Sequence, residues 1–310
     1  MLPADAKRAL DGWLAAAAPV VEKLLGQSSE SWPNTRDAYM QKLDELFLPA
    51  PEGVSFDETE LKGVPTMVIT PKTVVDDRVL LYVHGGGYVH GGTLAYRGLT
   101  GRLATMLQAK VYAPGYRQAP EHPFPTPIND IFAAYQGLLE LGQEPSKLGL
   151  CGDSAGGAMV LTIMRKARDN NLPLPAAAVA FSPWANLTHS GASARERDGL
   201  DPICSTAFLN KLASTFLAGA LPTDPDASPV FADVRKLAPT LIQIGENEVM
   251  LSDAIRLASH LAENRVRTTL EVWPGMFHVW HLFAGLLPQA DEALENAVKF
   301  LDNAFTNDPE

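Results

Sequence analysis

The residue types that could carry covalent chemistry appear first at Gly152-Asp153-Ser154-Ala155-Gly156. The apolar run Leu148–Cys151 leads into this string, and a helical pattern (Ala158, Leu161, Ile163, Met164) leads out of it. A serine on a sharp strand-to-helix turn sits in strained backbone, and glycines two residues either side make the turn possible. Its hydroxyl would then stand above a sheet at a helix N-terminus, where a nucleophile is useful. An ordinary glycine-rich turn with a capping serine gives the same five letters. Partners decide between the two readings.

His84-Gly85-Gly86-Gly87 is the first partner, directly after the apolar run Val79–Val83. Consecutive glycines let backbone N–H groups turn towards a ligand, which suits a hole for the oxyanion of acyl transfer. A phosphate loop is excluded by pattern: neither G-x-x-x-x-G-K-[ST] nor G-x-G-x-x-G before a helix is present. His84 reads as a brace for this loop. The base must come later, because on this kind of sheet the chain order is serine, acid, histidine. Of seven histidines, only His260, His278 and His281 lie far enough on. His260 falls within a helical run. His278 sits in the loop Trp273–His278 after the last strand pattern and is the expected base. His278 and His281 form His-x-x-His without Glu or Cys at metal spacing, so no zinc site and no cofactor are expected. For the acid, Glu246, Glu248 and Asp253 compete after the run Thr240–Ile244. Asp253 reads as a first-turn helix charge. Glu248 is the first choice and Glu246 the reserve.

Elements able to position these residues follow from periodicity. Strands are expected at Val54–Asp57, Thr66–Thr70, Val79–Val83, Lys110–Ala113, Leu148–Cys151, Ala177–Phe181, Thr240–Ile244 and Thr268–Trp273. Several are wholly apolar, as strands covered on both faces are. Helical patterns at 96–108, 126–141, 155–168, 250–264 and 289–305 alternate with them. The alternation predicts an α/β fold, an eight-stranded and mostly parallel sheet flanked by helices. Residues 184–236 break the rhythm, with one helix near Thr206–Leu217. In residues 1–50, apolar positions from Leu10 to Leu25 recur at helical spacing, with Pro19 as an expected break. We therefore expect a catalytic core over 51–183 and 221–310, and a helical cap from two pieces, 1–50 and 184–220.

With 310 residues, 46% of them hydrophobic, the chain can bury a large core. A formal charge of −11 with no basic block argues against nucleic acid or an anionic membrane as the partner. Two cysteines give no disulfide framework, and Cys151 reads as a buried strand residue. Cytoplasmic location is expected, with no integral membrane span.

Taken together, these motifs resemble the hormone-sensitive lipase family of carboxylesterases, within the α/β-hydrolases. The resemblance runs from about residue 79 to the end and includes Tyr116-Arg117-Gln118-Ala119-Pro120-Glu121-His122-Pro123-Phe124-Pro125, similar to the family's Y-R-L-A-P-E-x-P-F-P. It implies Ser154 as nucleophile, His278 as base, Glu248 as acid, and an oxyanion hole from the N–H groups of Gly86, Gly87 and Ala155 with Gly85 in support. Asp153 resembles the G-D-S-A-G subgroup, which implies a homodimer. Residues 275–280 resemble the branch with monoterpene lactone hydrolases and short-chain esterases. The family's acid is usually Asp, and here the position holds Glu248. Its catalytic His is often followed by Gly, where this chain has Val279, which reshapes the pocket wall. The expected activity is hydrolysis of short- to medium-chain acyl esters through an acyl-enzyme, with a small-molecule ester and water as its partners. Lactone hydrolysis is the alternative, and a non-catalytic receptor ranks below both. Tyr88, Trp184, Phe208, Phe277, Val279 and Trp280 are the expected pocket-lining residues.

Overall fold

A computed structural model describes residues 2–306. Eight strands form one sheet: β1 (Ser55–Leu61), β2 (Val64–Thr70), β3 (Val79–Val83), β4 (Lys110–Pro114), β5 (Leu148–Asp153), β6 (Ala177–Phe181), β7 (Thr240–Gly245) and β8 (Thr268–Trp273). Their spatial order is β1-β2-β4-β3-β5-β6-β7-β8. β1 and β2 pair antiparallel, as do β2 and β4, and every other pairing is parallel. The parallel centre is apolar for a physical reason. Each residue of β3 and β6 is fully buried because helices cover both faces.

The covering helices are α3 (Arg97–Leu107), α4 (Thr126–Glu140), α5 (Ala155–Asp169), α8 (Leu251–Glu263) and α9 (Pro288–Thr306). One face carries α4, α5 and α8, and its core contains Ile128, Ile131, Met159, Ile163 and Leu257. The other carries α3 and α9, with Leu99, Leu103, Leu294 and Leu301. All eight strand expectations fall on observed strands. Boundaries moved by up to four residues, most at β1, whose exposed Glu58 to Glu60 carry no apolar signal.

Two further groups of elements lie outside the sheet layers. Helices α1 (Ala4–Leu24) and α2 (Trp32–Leu46) come from the N-terminal segment, and α6 (Ser193–Glu196) and α7 (Thr206–Leu217) from the insertion after β6. α1 runs unbroken through Pro19, against expectation. Pro19 removes one N–H, but Ala15, four residues back, is exposed, so its carbonyl can be solvated. Ser31 caps α2 by accepting from the Asn34 N–H, and Ser205 caps α7 by accepting from the Phe208 N–H. The Trp13 indole N–H donates to Tyr39 Oη at 2.8 Å and joins α1 to α2. Arg36 on α2 donates to the carbonyls of Val89 and Ala119, both at 2.7 Å, and ties the pair to the loops above the sheet.

Candidate active site

Ser154 follows β5 directly and occupies the N-cap position of α5 without a side-chain capping bond, with φ 53° and ψ −119°. A non-glycine residue in that region is strained, and the surroundings must hold it there. They do so by close approach: a Cβ at Gly156 would sit 1.9 Å from the Val83 carbonyl oxygen. No side chain fits between the turn and β3. The Ser154 N–H donates to the Phe181 carbonyl at 2.9 Å, and its carbonyl accepts from Trp184 N–H at 2.9 Å.

His278 and Glu248 arrive on the loops after β8 and β7. His278 Nε2 is 2.9 Å from Ser154 Oγ, and Nδ1 is 2.8 Å from Glu248 Oε2. Glu248 is fully buried, and Oε1 accepts from Ser182 Oγ and from Gly245 N–H, each at 2.7 Å. Ser182 Oγ in turn accepts from Val279 N–H at 3.1 Å, so one hydroxyl fixes both the acid and the histidine loop. Burial alone would push the His278 imidazolium down, but the Cys204 and Glu248 contacts hold its pKa well above the usual histidine value. Burial also raises the Cys204 thiol, which leaves it uncharged near neutrality. The carboxylate is therefore the charge that matters. Glu246 is exposed and, among the described residues, accepts only from Gly275 N–H, and Asp253 lies buried in the first turn of α8, accepting from Asn186 at 2.9 Å. Neither touches His278.

The glycine loop arches beside Ser154. Gly86 has φ 107°, and a Cβ there would meet the His90 carbonyl oxygen at 1.9 Å. The N–H groups of Gly86, Gly87 and Ala155 have no acceptor among the described residues. Gly85 differs. Its N–H donates to Asp153 Oδ1 at 3.0 Å, which removes it as an oxyanion donor and leaves it a structural part. Asp153 also accepts from Tyr82 and Tyr96 hydroxyls, each at 2.8 Å. Its carboxyl is raised by burial to about 6 in spite of these donors. Sequence alone placed Asp153 as a subgroup mark and missed this bracing. His84 acts as expected: it stacks on Tyr116 at 4.3 Å, its Nδ1 lies 2.7 Å from the Gly85 carbonyl, and burial lowers its pKa to about 4.

A cavity of about 540 Å³, its open mouth included, lies over Ser154 and His278. Trp184, Phe208 and Val279 line it as expected, and Trp13, Tyr39, Cys204 and Leu212 join them. Tyr88, Phe277 and Trp280 do not. Tyr88 is fully buried and stacks on Phe216 at 3.8 Å; Phe277 packs edge-on against Phe283; Trp280 lies over His281 at 4.0 Å. Large aromatics more often fill cores than pockets, and these three do. Asp201, Glu248 and His278 each offer a ligand atom within 4.8 Å of the others, the arrangement a cation would use. Both oxygens of Glu248 and both nitrogens of His278 already have partners. Glu248 and His278 read as a hydrogen-bonded acid–imidazole pair, with Asp201 beside it.

A family model described as the α/β-hydrolase fold matches residues 80–282. An acetyl-hydrolase of Streptomyces hygroscopicus is 43% identical over 229 residues, 74% of this chain and 77% of that one. An esterase of the bacterial hormone-sensitive lipase family superposes with a TM-score of 0.90 at 33% identity, over 98% of this chain and 99% of that one. The chain belongs to the hormone-sensitive lipase family of α/β-hydrolases. Its relatives are named esterases, acetyl-hydrolases and carboxylesterases, and it is an ester hydrolase. EstE5, whose crystals were soaked with p-nitrophenyl butyrate, matches at a TM-score of 0.87 and 32% identity, over 98% of this chain and all of that one. Among the described residues, no helix is long and apolar enough to cross a membrane.

Proposed function

We propose that this family member hydrolyses short- to medium-chain acyl esters with Ser154 as nucleophile, His278 as base and Glu248 as acid. The observation that carries the reading is the unbroken line from Ser154 Oγ through the His278 ring to Glu248, at 2.9 and 2.8 Å. Ser154 Oγ attacks the ester carbonyl while its proton passes to His278 Nε2. The carbonyl oxygen, now negative, takes the N–H groups of Gly86, Gly87 and Ala155, which are preorganised and cost no reorganisation. Collapse of this intermediate breaks the bond to the alcohol, and His278 returns the proton to the leaving oxygen. Water repeats the sequence on the acyl-enzyme and frees the acid. Glu248 fixes the ring tautomer and supports the imidazolium through both transfers.

Two segments, 1–50 and 184–220, act in this reading as a cap over the core of 51–183 and 221–310. Trp13 and Tyr39 from the first, with Phe208 and Leu212 from the second, contribute apolar walls to the cavity. Their bulk favours a short acyl chain. The homodimer belongs to the same reading on the family resemblance, and the cytoplasmic location on the two free cysteines; sedimentation of the purified chain at twice its 33.4 kDa mass is the result expected of the dimer. The deciding experiment is hydrolysis of p-nitrophenyl acetate, butyrate, octanoate and palmitate by wild type and Ser154→Ala. Turnover is expected to be highest at acetate or butyrate and to vanish in the variant. Undiminished turnover in the variant removes the nucleophile assignment, and a maximum at palmitate removes the short-chain one.

A further inference from the structure

Asp201 lies between α6 and α7, in the segment over the cavity, and is 5% exposed. Its Oδ1 accepts from Ile203 N–H at 2.9 Å and from Cys204 N–H at 3.3 Å, which holds a local turn. Its Oδ2 is buried and has no hydrogen-bond partner among the described residues. Leaving a buried carboxyl oxygen bare costs free energy, and the turn needs only Oδ1. The explanation lies in its neighbours. One oxygen of Asp201, one of Glu248 and one ring nitrogen of His278 lie within 4.8 Å of one another.

We propose that Asp201 is a positioning residue of the reaction, a second carboxyl that the cap brings to the His278–Glu248 pair to hold the imidazolium formed when Ser154 loses its proton. The proposal rests on the assignment of Ser154, His278 and Glu248 as the triad. Two buried carboxyls this close to one imidazole do not titrate independently. Burial pushes Asp201 up to about 7; an imidazolium at His278 opposes that and Glu248 adds to it. Charge on Asp201 and a proton on His278 therefore favour each other. The other titratable groups facing His278 are Cys204 on the cap, Asp153 on the nucleophile turn and His281. Burial raises the thiol of Cys204 and lowers His281, so neither carries charge near neutrality.

The test is kcat/KM against pH for wild type and Asp201→Asn on p-nitrophenyl acetate. Asparagine keeps an oxygen for the Ile203 and Cys204 N–H groups. The acid limb reports His278 losing its proton in the free enzyme. Without the second carboxyl the imidazolium is less supported, so this limb is expected to move to lower pH by about one unit, the low end of what a charge within 4–6 Å does. A lower plateau with an unmoved midpoint is what a turn-holding residue gives, and it overturns the proposal. A measurement independent of any variant is the low-field proton resonance of His278 Nδ1–H in the wild type. It is expected to shift in two steps with pH, and a single step overturns the proposal. Ser154→Ala measured alongside separates the failures. An active Ser154→Ala sinks the triad reading, whereas an inactive one with an unmoved Asp201→Asn limb sinks only the role of Asp201.

Discussion

Two buried aspartates flank the Ser154–His278 pair, one at the end of β5 and one in the segment between α6 and α7, and they are furnished in opposite ways. Asp153 receives the hydroxyls of Tyr82 and Tyr96 and the N–H of Gly85, so both of its oxygens are taken. Asp201 receives two backbone N–H groups on one oxygen and leaves the other bare. A carboxyl with donors on both oxygens is a brace, because its geometry is fixed by them. In Asp201 the bound oxygen holds a turn, and the unbound one acts on its neighbours through charge. Burial raises both, to about 6 and about 7, yet the consequences differ. Loss of the first should disturb the shape of the Gly85–Gly87 loop, the proposed oxyanion hole, and loss of the second the protonation of His278, the proposed base.

The largest effect separates the proposed triad acid from both aspartates. Glu248→Gln is expected to lower kcat by about 10²–10⁴, because an amide cannot hold the required histidine tautomer. Glu246→Gln, which alters only an exposed contact to Gly275, should stay within about twofold. Steady-state rates on p-nitrophenyl butyrate check both. If Glu246→Gln alone lost activity, Glu248 would belong with the braces and the comparison would need redrawing. Next comes Gly85→Ala. A methyl there would lie 2.3 Å from Asp153 Oδ2 and 3.0 Å from Ser154 Cβ, which forces the loop off its brace. Misplaced oxyanion donors cost about 10²–10³ in kcat. The loss should be similar for acetate and octanoate, since the oxyanion is common to every ester.

Asp153→Asn tests the brace more gently, and pH gives it a sign. The folded-state value of Asp153, about 6, is above its ordinary 3.8, so the folded protein binds that proton more tightly than the unfolded chain does. The stabilising effect of protonation is fully present below about pH 4 and is lost as pH rises through 6. At pH 7 the ionised, buried carboxylate costs roughly 3 kcal/mol relative to an unperturbed one. An asparagine does not titrate. The melting temperature of Asp153→Asn relative to wild type should therefore climb between pH 4 and pH 7, while kcat falls several-fold. A difference independent of pH would mean that the three donors, not burial, dominate at this site.

Ser154 and His278, the proposed nucleophile and base, stand out in the sequence because each is announced by its neighbours. A strand, a glycine-flanked turn and a helix surround the one, and a loop after the last strand holds the other. Glu248 was legible only in part, since three carboxylates follow β7 and their directions depend on how the chain turns after Gly245. Asp201 carried no signal at all. It lies in an irregular segment where no periodicity marks burial, and its neighbours Glu248 and His278 are 47 and 77 positions further along. Tyr88 and Phe277 were misread for a related reason. Residue type predicts burial in an aromatic, but whether it is buried against the core or against a cavity is set by tertiary packing. Tyr88 follows the glycine loop and turns away from the cavity onto Phe216.

The smallest effect concerns what the proposed cap adds beyond Asp201. Phe208 lines the cavity from α7, its ring 6.3 Å from that of His90 at an angle of 24°. Removing the ring should leave acetate turnover close to wild type and admit longer chains. Filling or freeing the volume of one methylene in an apolar pocket changes discrimination by about 1–3 kcal/mol, so the kcat/KM ratio of octanoate to acetate should rise on the order of tenfold in Phe208→Ala. The contrast with Gly85→Ala is the informative part. A core change scales all esters alike, because it acts on the oxyanion; a cap-wall change alters their ratio, because it acts on the chain. If Phe208→Ala slowed every ester equally, the wall would be supporting the oxyanion loop through His90, and the division between a core that catalyses and a cap that selects would fail at that contact.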